Sequence, residues 1–401
     1  MNVEELVRDT LREQAADGVL APPHFADRVL AVRRRRRTRT IAGAAAATAA
    51  AVAMAVAVPL LDTGGDDVRP AGPMNPSDII AHPDQSPPRD PIAAGSTVVA
   101  AFSTTKMVTQ PNKDQVITRT YSLLDQKTGK YVKDSRWSFV DLAPGGRTAA
   151  VLERQLPARR VGLLDLTTGK VDRWIPVPQG VAGVDFSPDG KKLVATTYAK
   201  NPDRLYWSHR FKAHHDDGVW EEPSPVPSRT GFTLIDVASG KSDWHKAPYR
   251  KDAYGNSLNS RENFTFNHDG RLLYEFISKE PYRVYRDLRG RTVPTPAAET
   301  KLANEEIGFS PDGKLVGYPS GVREVATGKP VREVPDADHI DPLAWAGNKR
   351  FIAWRIDEGR KGNPMRLVLI TLGNDKIVPL SDFMTQDYYD PGHWEPLFSG
   401  R

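Results

Sequence analysis

Short runs of apolar or alternating residues recur along most of this chain, and each run ends at a tight polar turn. Residues 193–197 and 272–276 are typical, being rich in aliphatic, aromatic and β-branched side chains. Runs at 161–165 and 232–236 have the same composition but end on Asp. Strand-length runs bounded by Gly, Pro, Asp and Ser predict β-strands joined by hairpins. The pattern therefore predicts an all-β domain over residues 93–401.

Two turn signatures alternate along this β region. The first is an aromatic residue followed by Ser-Pro-Asp-Gly-Lys, in which Pro and Asp suit the central turn positions and Gly takes a positive φ. The second is an acidic residue, two variable residues and Thr/Ser-Gly-Lys, whose Gly again supplies a positive φ. Both signatures predict hairpin turns. The first occurs at 186–191 and 309–314, with degenerate copies at 143–147 and 266–271, and the second at 125–130, 165–170, 236–241 and 324–329.

The spacing of these turns defines a repeat. The period is about 40–45 residues with two hairpins per repeat, which is typical of a β-propeller. We therefore predict a β-propeller of about six four-stranded blades, with seven blades as the alternative count and a β-sandwich of similar hairpins as the alternative architecture. The glycines of the second turn fall at positions 129, 169, 240, 290, 328 and 373.

Two features refine this architecture. The longest interval between second turns, from Gly169 to Gly240, places an insertion at about residues 199–230, between the second and third strands of its repeat. The C-terminal residues 394–401 resemble a first strand with its turn, and the first repeat has no such strand of its own. We therefore expect the C-terminal strand to return to the first blade and close the ring.

The signatures resemble the WD-repeat-like propeller units of TolB and the propeller domain of prolyl oligopeptidases. The resemblance covers about residues 93–401 and implies the fold. It implies no activity, since propellers of this kind carry many functions. The chain has no Gly-x-Ser-x-Gly elbow, no phosphate loop and no dinucleotide fingerprint, so we expect a non-enzymatic protein without a cofactor.

Residues 41–61 contain no charged side chain and are rich in Ala. A helix of this length matches the hydrocarbon core of a bilayer, about 30 Å thick. Basic residues on the N-terminal side predict a cytoplasmic N-terminus and an extracytoplasmic propeller, attached to the cell membrane. As a whole, the chain resembles a membrane-anchored propeller protein of actinobacterial type. Cleavage as a signal peptide, giving a secreted protein, is the alternative. The topology determinants are Arg33, Arg34, Arg35, Arg36, Arg37 and Arg39.

The flanking segments complete the predicted organisation. Residues 1–40 form a cytoplasmic segment of short helices ending in the polybasic run, and residues 62–92 form a Pro/Gly-rich linker. Apolar faces within residues 1–37 could pack together, contact the membrane or bind a cytoplasmic protein partner. This order of segments resembles membrane anti-sigma factors of high-GC Gram-positive bacteria. The His/Cys zinc motif of that family is absent, so the resemblance is one of topology only.

Composition removes several classes of function. The chain has no Cys, which excludes disulfides and Cys-ligated zinc. Its net charge of +5 is carried mainly by the N-terminal Arg run, so the propeller lacks the basic stripe of a nucleic-acid-binding protein. We therefore expect no nucleic-acid partner. A cluster in the insertion is a candidate for binding a metal, with an ordinary solvated loop as the alternative interpretation. Its members are His214, His215, Asp216 and Asp217.

The insertion is also the strongest candidate for a binding site. In a propeller the two tight turns lie on one face, and the long segments 199–230, 246–262 and 292–304 lie on the other. Aromatic residues and Arg are favoured at binding hot spots, although these aromatics could instead pack the insertion onto the ring. The candidate ligand-binding residues are Tyr206, Trp207, Arg210, Phe211, Trp220, Tyr249 and Tyr254.

Three functions remain open from the sequence. The first is a membrane-anchored extracytoplasmic binding or scaffold module for a protein, peptide or glycan. The second is a propeller enzyme, such as a metal-dependent hydrolase or lyase, which would need inward carboxylates or His from several blades. The third is an envelope sensor that signals through its N-terminal helices.

Overall fold

The structure, a computed structural model, describes residues 79–215, 218–248, 261–277, 283–296, 307–318, 321–331, 334, 336 and 339–400, without the side chains of 213–215, 218 and 318. Regular secondary structure over these ranges is β-strand apart from a single 3₁₀ residue at position 339, with no α-helix. The prediction of an all-β fold is confirmed. The expected helices at 1–40 and 41–61 and most of the linker at 62–92 lie outside the described residues. Within the described part of the chain, no helix is long and apolar enough to cross a membrane.

The strands alternate with the predicted turns along the chain. The first half contains β1 (Ile79–Ile80), β2 (Ala93–Ala94), β3 (Thr97–Thr109), β4 (Gln115–Asp125), β5 (Lys130–Asp134), β6 (Trp137–Leu142), β7 (Thr148–Glu153), β8 (Ala158–Asp165), β9 (Lys170–Phe186), β10 (Lys192–Tyr198), β11 (Arg204–His215), β12 (Gly218–Pro225), β13 (Arg229–Asp236) and β14 (Ser242–Lys246). The second half contains β15 (Thr265–Phe266), β16 (Leu272–Phe276), β17 (Arg283–Asp287), β18 (Thr292–Val293), β19 (Gly308–Phe309), β20 (Leu315–Tyr318), β21 (Gly321–Glu324), β22 (Ile340–Gly347), β23 (Arg350–Ile356), β24 (Met365–Thr371), β25 (Val378–Pro379) and β26 (Glu395–Gly400).

These strands form a succession of antiparallel sheets, as expected for a β-propeller. Sheets β15–β18, β19–β21 and β22–β25 each follow chain order. A seven-stranded sheet runs β14-β13-β10-β9-β8-β7-β6. Its long strand β9 belongs to two repeats, because residues 170–176 pair with β8 and residues 181–186 pair with β10. The outermost strand of one repeat therefore continues directly into the innermost strand of the next.

The predicted turns have the predicted geometry. Gly129 and Gly169 have φ values of 63° and 69°, and Gly190 has a φ of 70°. In the second signature, Asp125 Oδ1 accepts a hydrogen bond from the N–H of Lys127, and Gly129 N–H donates to the Asp125 carbonyl. The side chain of the acidic residue thus fixes the turn that its Gly completes.

The last strand closes the first repeat, and this prediction is also confirmed. Strand β26 pairs antiparallel with β3, from Glu395 opposite Ser103 to Gly400 opposite Thr97. On its other side β3 pairs with β4, and β4 pairs with β5. The order β26-β3-β4-β5 therefore joins the C-terminal strand to the first three strands of the repeat, and the innermost strand of that repeat comes from the chain end.

Buried carboxylates join successive repeats. Asp141 on β6 accepts a hydrogen bond from the backbone N–H of Phe186 at 2.8 Å, and Asp185 on β9 accepts one from the N–H of Phe266 at 2.8 Å. Both carboxylates are almost fully buried. Burial raises the pKa of Asp141 to about 7, against the opposing hydrogen bonds from backbone N–H groups. Burial and the neighbouring Asp141 also raise the pKa of Asp185.

The insertion of the third repeat forms a hairpin that reaches the first repeat. Strands β11 and β12 pair from Leu205 opposite Pro225 to His215 opposite Gly218. The start of β11 also pairs with the start of β4, with Arg204 opposite Val116 and Leu205 opposite Gln115. We call residues 204–225 the bridging hairpin. The sequence located this insertion, but its pairing with a distant repeat is a finding of the structure.

Candidate functional site

The base of the bridging hairpin is fixed by Asp114, in the loop between β3 and β4. Arg204 Nε donates to Asp114 Oδ2 at 2.7 Å, and the backbone N–H of Trp207 donates to Asp114 Oδ1 at 2.8 Å. The hydrogen bond from Trp207 and those from Arg204 hold the pKa of Asp114 below its ordinary value, against the effect of burial. An ionised Asp114 therefore connects the two repeats at neutral pH.

A buried ion cluster lies beneath this base. Arg119 on β4 and Asp203, just before β11, form an ion pair with Nη1 and Oδ2 2.7 Å apart. Arg261 Nε lies 3.3 Å from Asp203 Oδ1. The side chains of Arg119, Asp203 and Arg261 are 9%, 2% and 3% exposed. Asp203, which precedes the bridging hairpin, therefore supplies a negative charge beside both Arg residues, and this ties the insertion to the ring.

Aromatic and cationic side chains follow the hairpin above its base. Lys113 and Arg210 lie 5.0 Å and 5.3 Å from the ring centre of Trp207. Arg204 lies 5.4 Å from the ring centre of Tyr206. Cations at these distances are attracted to the face of an aromatic ring. Trp207 and Tyr206 are therefore held by cations from two separate segments of the chain.

The outer part of the hairpin exposes large apolar side chains. Phe211, Val219 and Trp220 are 51%, 54% and 55% exposed. The register places Phe211 opposite Glu222 and Ala213 opposite Trp220. Because side chains alternate between the two faces of a strand, Phe211 and Trp220 lie on one face and Val219 on the other. Both faces of the outer hairpin thus expose apolar side chains to solvent.

The structure brings five of the predicted ligand-binding residues onto this one hairpin. These are Tyr206, Trp207, Arg210, Phe211 and Trp220. The other two, Tyr249 and Tyr254, lie outside the described residues, as do Asp216 and Asp217 and the side chains of His214 and His215. Among the residues that are described, no group of three or more His, Asp or Glu side chains could hold a metal ion.

Sequence reasoning missed the residues that hold the hairpin in place. Lys113, Asp114 and Arg119 belong to the first repeat, and Arg261 precedes β15. None stands in a motif, and all are far in sequence from the insertion. The one available signal was charge within strand-like segments, since a charged residue that a strand buries needs a partner.

Comparisons with known proteins give no family for this chain. No protein-family model matches it, and no curated protein matches it. Among solved structures, it is similar to TolB from Acinetobacter baumannii, with 14% identity, a TM-score of 0.36 and coverage of 70% of this chain and 66% of that chain, just under two thirds of its length. It is also similar to the β-propeller domain of Myceliophteria thermophila Cps50 (Swd1), with 12% identity, a TM-score of 0.34 and coverage of 72% and 86%.

Proposed function

We propose that this protein is a non-enzymatic binding module, built as a six-bladed propeller, whose bridging hairpin binds a protein partner. The observation that carries the proposal is the exposure of Phe211, Val219 and Trp220 on a hairpin that is fixed at its base. Clustered apolar side chains in solvent are characteristic of interaction surfaces. Aromatic residues beside Arg are enriched among the residues that dominate binding energy.

The base of the hairpin supports the same function. The ion pairs of Asp114 and Asp203 and the pairing with β4 restrict the hairpin before any partner binds. A preorganised surface loses less conformational entropy on association, and its affinity is correspondingly higher. An unsupported hairpin of this length would be marginally stable in water. The contacts at the base therefore have a functional as well as a structural consequence.

We further propose that residues 41–61 span the membrane and place the propeller outside the cell, on the sequence grounds given above. The absence of Cys makes a direct test simple. Single variants Val219→Cys and Ala16→Cys of the full-length chain are treated, in intact cells, with a membrane-impermeant maleimide. We expect only Val219→Cys to react before permeabilisation and both to react afterwards. Reaction of Ala16→Cys alone in intact cells would reverse the proposed topology.

Binding through the hairpin is tested by site-specific photo-crosslinking in the cells that make the protein. The photoreactive residue p-benzoylphenylalanine replaces Trp220 in one variant and Val132 in the control. Val132 is a matched position because it is 52% exposed but lies on β5, away from the hairpin. We expect a discrete protein adduct from position 220 that position 132 does not give. Equal adducts from both positions, or none from position 220, would contradict the proposal.

The partner identified in this way is then purified and titrated against the full-length protein. Phe211→Ser and Trp220→Ser should each weaken binding roughly tenfold or more, since hot-spot side chains contribute on the order of 2 kcal/mol. Their melting temperatures should stay close to that of the wild type because both side chains are already half exposed. Unchanged affinity in both variants would show that the partner binds a surface other than the bridging hairpin.

A further inference from the structure

A groove of about 1050 Å³ lies along the outer strands of the second repeat, apart from the bridging hairpin. It extends from the loop between β7 and β8 to the turn between β8 and β9. Residues of both the loop, 153–159, and the turn, 169–171, line it, so the groove follows the direction of the strands. A cavity of this size can hold several residues of an extended peptide.

The charges of the groove are predominantly positive. Four cationic side chains line it, Arg136, Arg154, Arg159 and Lys170, against one carboxylate, that of Glu153. The carboxylate is already engaged, because Arg160 Nη2 and Nε donate to its two oxygens at 2.7 and 3.0 Å. These hydrogen bonds hold the pKa of Glu153 below its ordinary value. Glu153 therefore compensates Arg160 rather than the cations that line the groove.

Three of the four cations have no acidic partner within the described part of the chain. Arg154 Nη1 donates to the backbone carbonyl of Arg119 at 2.7 Å, and Arg159 donates to the carbonyl of Pro178. Lys170 has an exposed side chain and forms no ion pair with the described residues. Carbonyl oxygens orient the guanidinium groups without neutralising them, so an anionic ligand would find positioned donors.

The aromatic residues of the groove are not open platforms. Arg136 lies 4.8 Å from the ring centre of Trp137, and Arg160 lies 4.1 Å from that of Trp174. Trp174 also packs against β8, where an added Cβ at Gly162 would lie 2.9 Å from Trp174 Cζ3. Proteins that bind single-stranded nucleic acid stack its bases on open aromatic faces. The covered indoles therefore favour a ligand held by charge and by small apolar contacts, such as those of Pro157 and Val171.

We propose that this groove binds an acidic peptide segment in an extended conformation. Its carboxylates would pair with Arg154, Arg159 and Lys170, and its apolar side chains would lie against Pro157 and Val171. The elongated shape fits a peptide backbone, and the positive lining fits closely spaced carboxylates. Pro176 and Pro178 lie on β9 at this edge of the sheet, and a proline lacks the N–H needed to pair with an added strand, so side-chain contacts hold the peptide.

The test measures fluorescence anisotropy of a short labelled peptide of Glu residues around a central Leu, titrated with the full-length protein in detergent. The same peptide with Gln in place of Glu is the ligand control. We expect only the Glu peptide to bind. Its affinity should fall as the ionic strength rises from 0.01 M, where the Debye length is about 30 Å, to 0.15 M, where it is about 8 Å. Equal binding of the Gln peptide would overturn the proposal.

The double variant Arg159→Gln/Lys170→Gln should weaken binding of the Glu peptide roughly tenfold or more. Lys349→Gln is the protein control, since Lys349 is an exposed cation at the turn between β22 and β23. An equal loss in Lys349→Gln would mean general charge attraction and would contradict a localised site. Displacement of the peptide by an oligogalacturonate of equal charge, at lower concentration than unlabelled peptide, would reassign the groove to an acidic glycan.

Discussion

Arg119 and Asp203 form a buried, two-point ion pair between residues that are 84 positions apart in the chain. Arg119 Nη1 donates to Asp203 Oδ2 at 2.7 Å, and Nη2 donates to Oδ1 at 3.2 Å. The backbone adds a third link, since Ile117 N–H donates to the carbonyl of Asp203 at 2.8 Å. These contacts join the first repeat to the insertion of the third, and they determine where the bridging hairpin projects.

Asp203→Asn should destabilise the protein by about 3 kcal/mol or more, because it removes the counter-charge of the buried Arg119 guanidinium. Glu221→Gln is the control. It removes the exposed pair in which Arg210 Nε and Glu221 Oε2 are 2.9 Å apart, and it should cost less than about 1 kcal/mol. Urea unfolding of both variants measures the difference. Similar losses for the two would show that the Asp203 cluster contributes no more than a surface pair.

Trp394 should be essential to the closure of the ring. The side chain is fully buried, packs edge-to-face against Phe102 and Trp354, and donates from Nε1 to Ser86 Oγ at 3.0 Å. Trp394→Ala should therefore lower the free energy of unfolding by about 3–5 kcal/mol. Trp244, on β14, is 37% exposed, so Trp244→Ala should cost much less. Thermal melts that shift equally for both would contradict the assigned closure.

His393 should make the protein less stable as the pH rises above neutrality. Burial lowers the pKa of His393, but the hydrogen bond to Glu395 at 2.8 Å and its charge raise it by more, so the net shift is upward. The folded protein thus binds this proton more tightly than the unfolded chain. Its stabilisation is complete below the ordinary His pKa of about 6.5 and is lost as the pH rises through the folded value.

The measurement is the melting temperature as a function of pH for the wild type and for His393→Gln. Asp141 titrates in the same range, so the difference between the two curves isolates His393. The variant should lose part of the wild-type stability at low pH and converge on it at high pH. Parallel curves would show that His393 is not protonated in the folded state.

Asp141→Asn should remove a second part of the pH dependence of the protein's stability. The pKa of Asp141, raised by burial to about 7, exceeds the ordinary Asp value of about 3.9. Its contribution to stability is therefore full below about pH 4 and is lost as the pH rises to about 7. Asn retains an oxygen that can accept from Phe186 N–H but carries no charge, so the variant should melt higher than the wild type at pH 8.

Asp141→Leu separates charge from hydrogen bonding. It also removes the charge, but it leaves the N–H of Phe186 without its acceptor, which costs about 1–3 kcal/mol. Melting curves from pH 5 to pH 8 compare the two variants. A curve for Asp141→Asn that runs parallel to the wild type would mean that Asp141 does not change protonation in this range.

Local sequence determined the hairpins and their order. Gly129 and Gly190 take a positive φ because glycine has no Cβ, and the Asp beside each turn fixes it with hydrogen bonds spanning a few residues. Such interactions depend on neighbours in the chain, so their residues can be recognised without a structure. The return of residues 394–400 to β3 could be predicted for a related reason, since the first repeat has no innermost strand of its own.

Tertiary structure alone decided what the insertion contacts. The aromatic residues Tyr206, Trp207, Phe211 and Trp220 could be predicted as candidates from composition, but the sequence does not show which of them pack and which stay exposed. Nor does it show that Asp203 pairs with Arg119, or that the outer strands of the second repeat form a basic groove. The physical reason is that charge pairing and burial depend on distances between segments brought together only by folding, whereas turn chemistry is local to the chain.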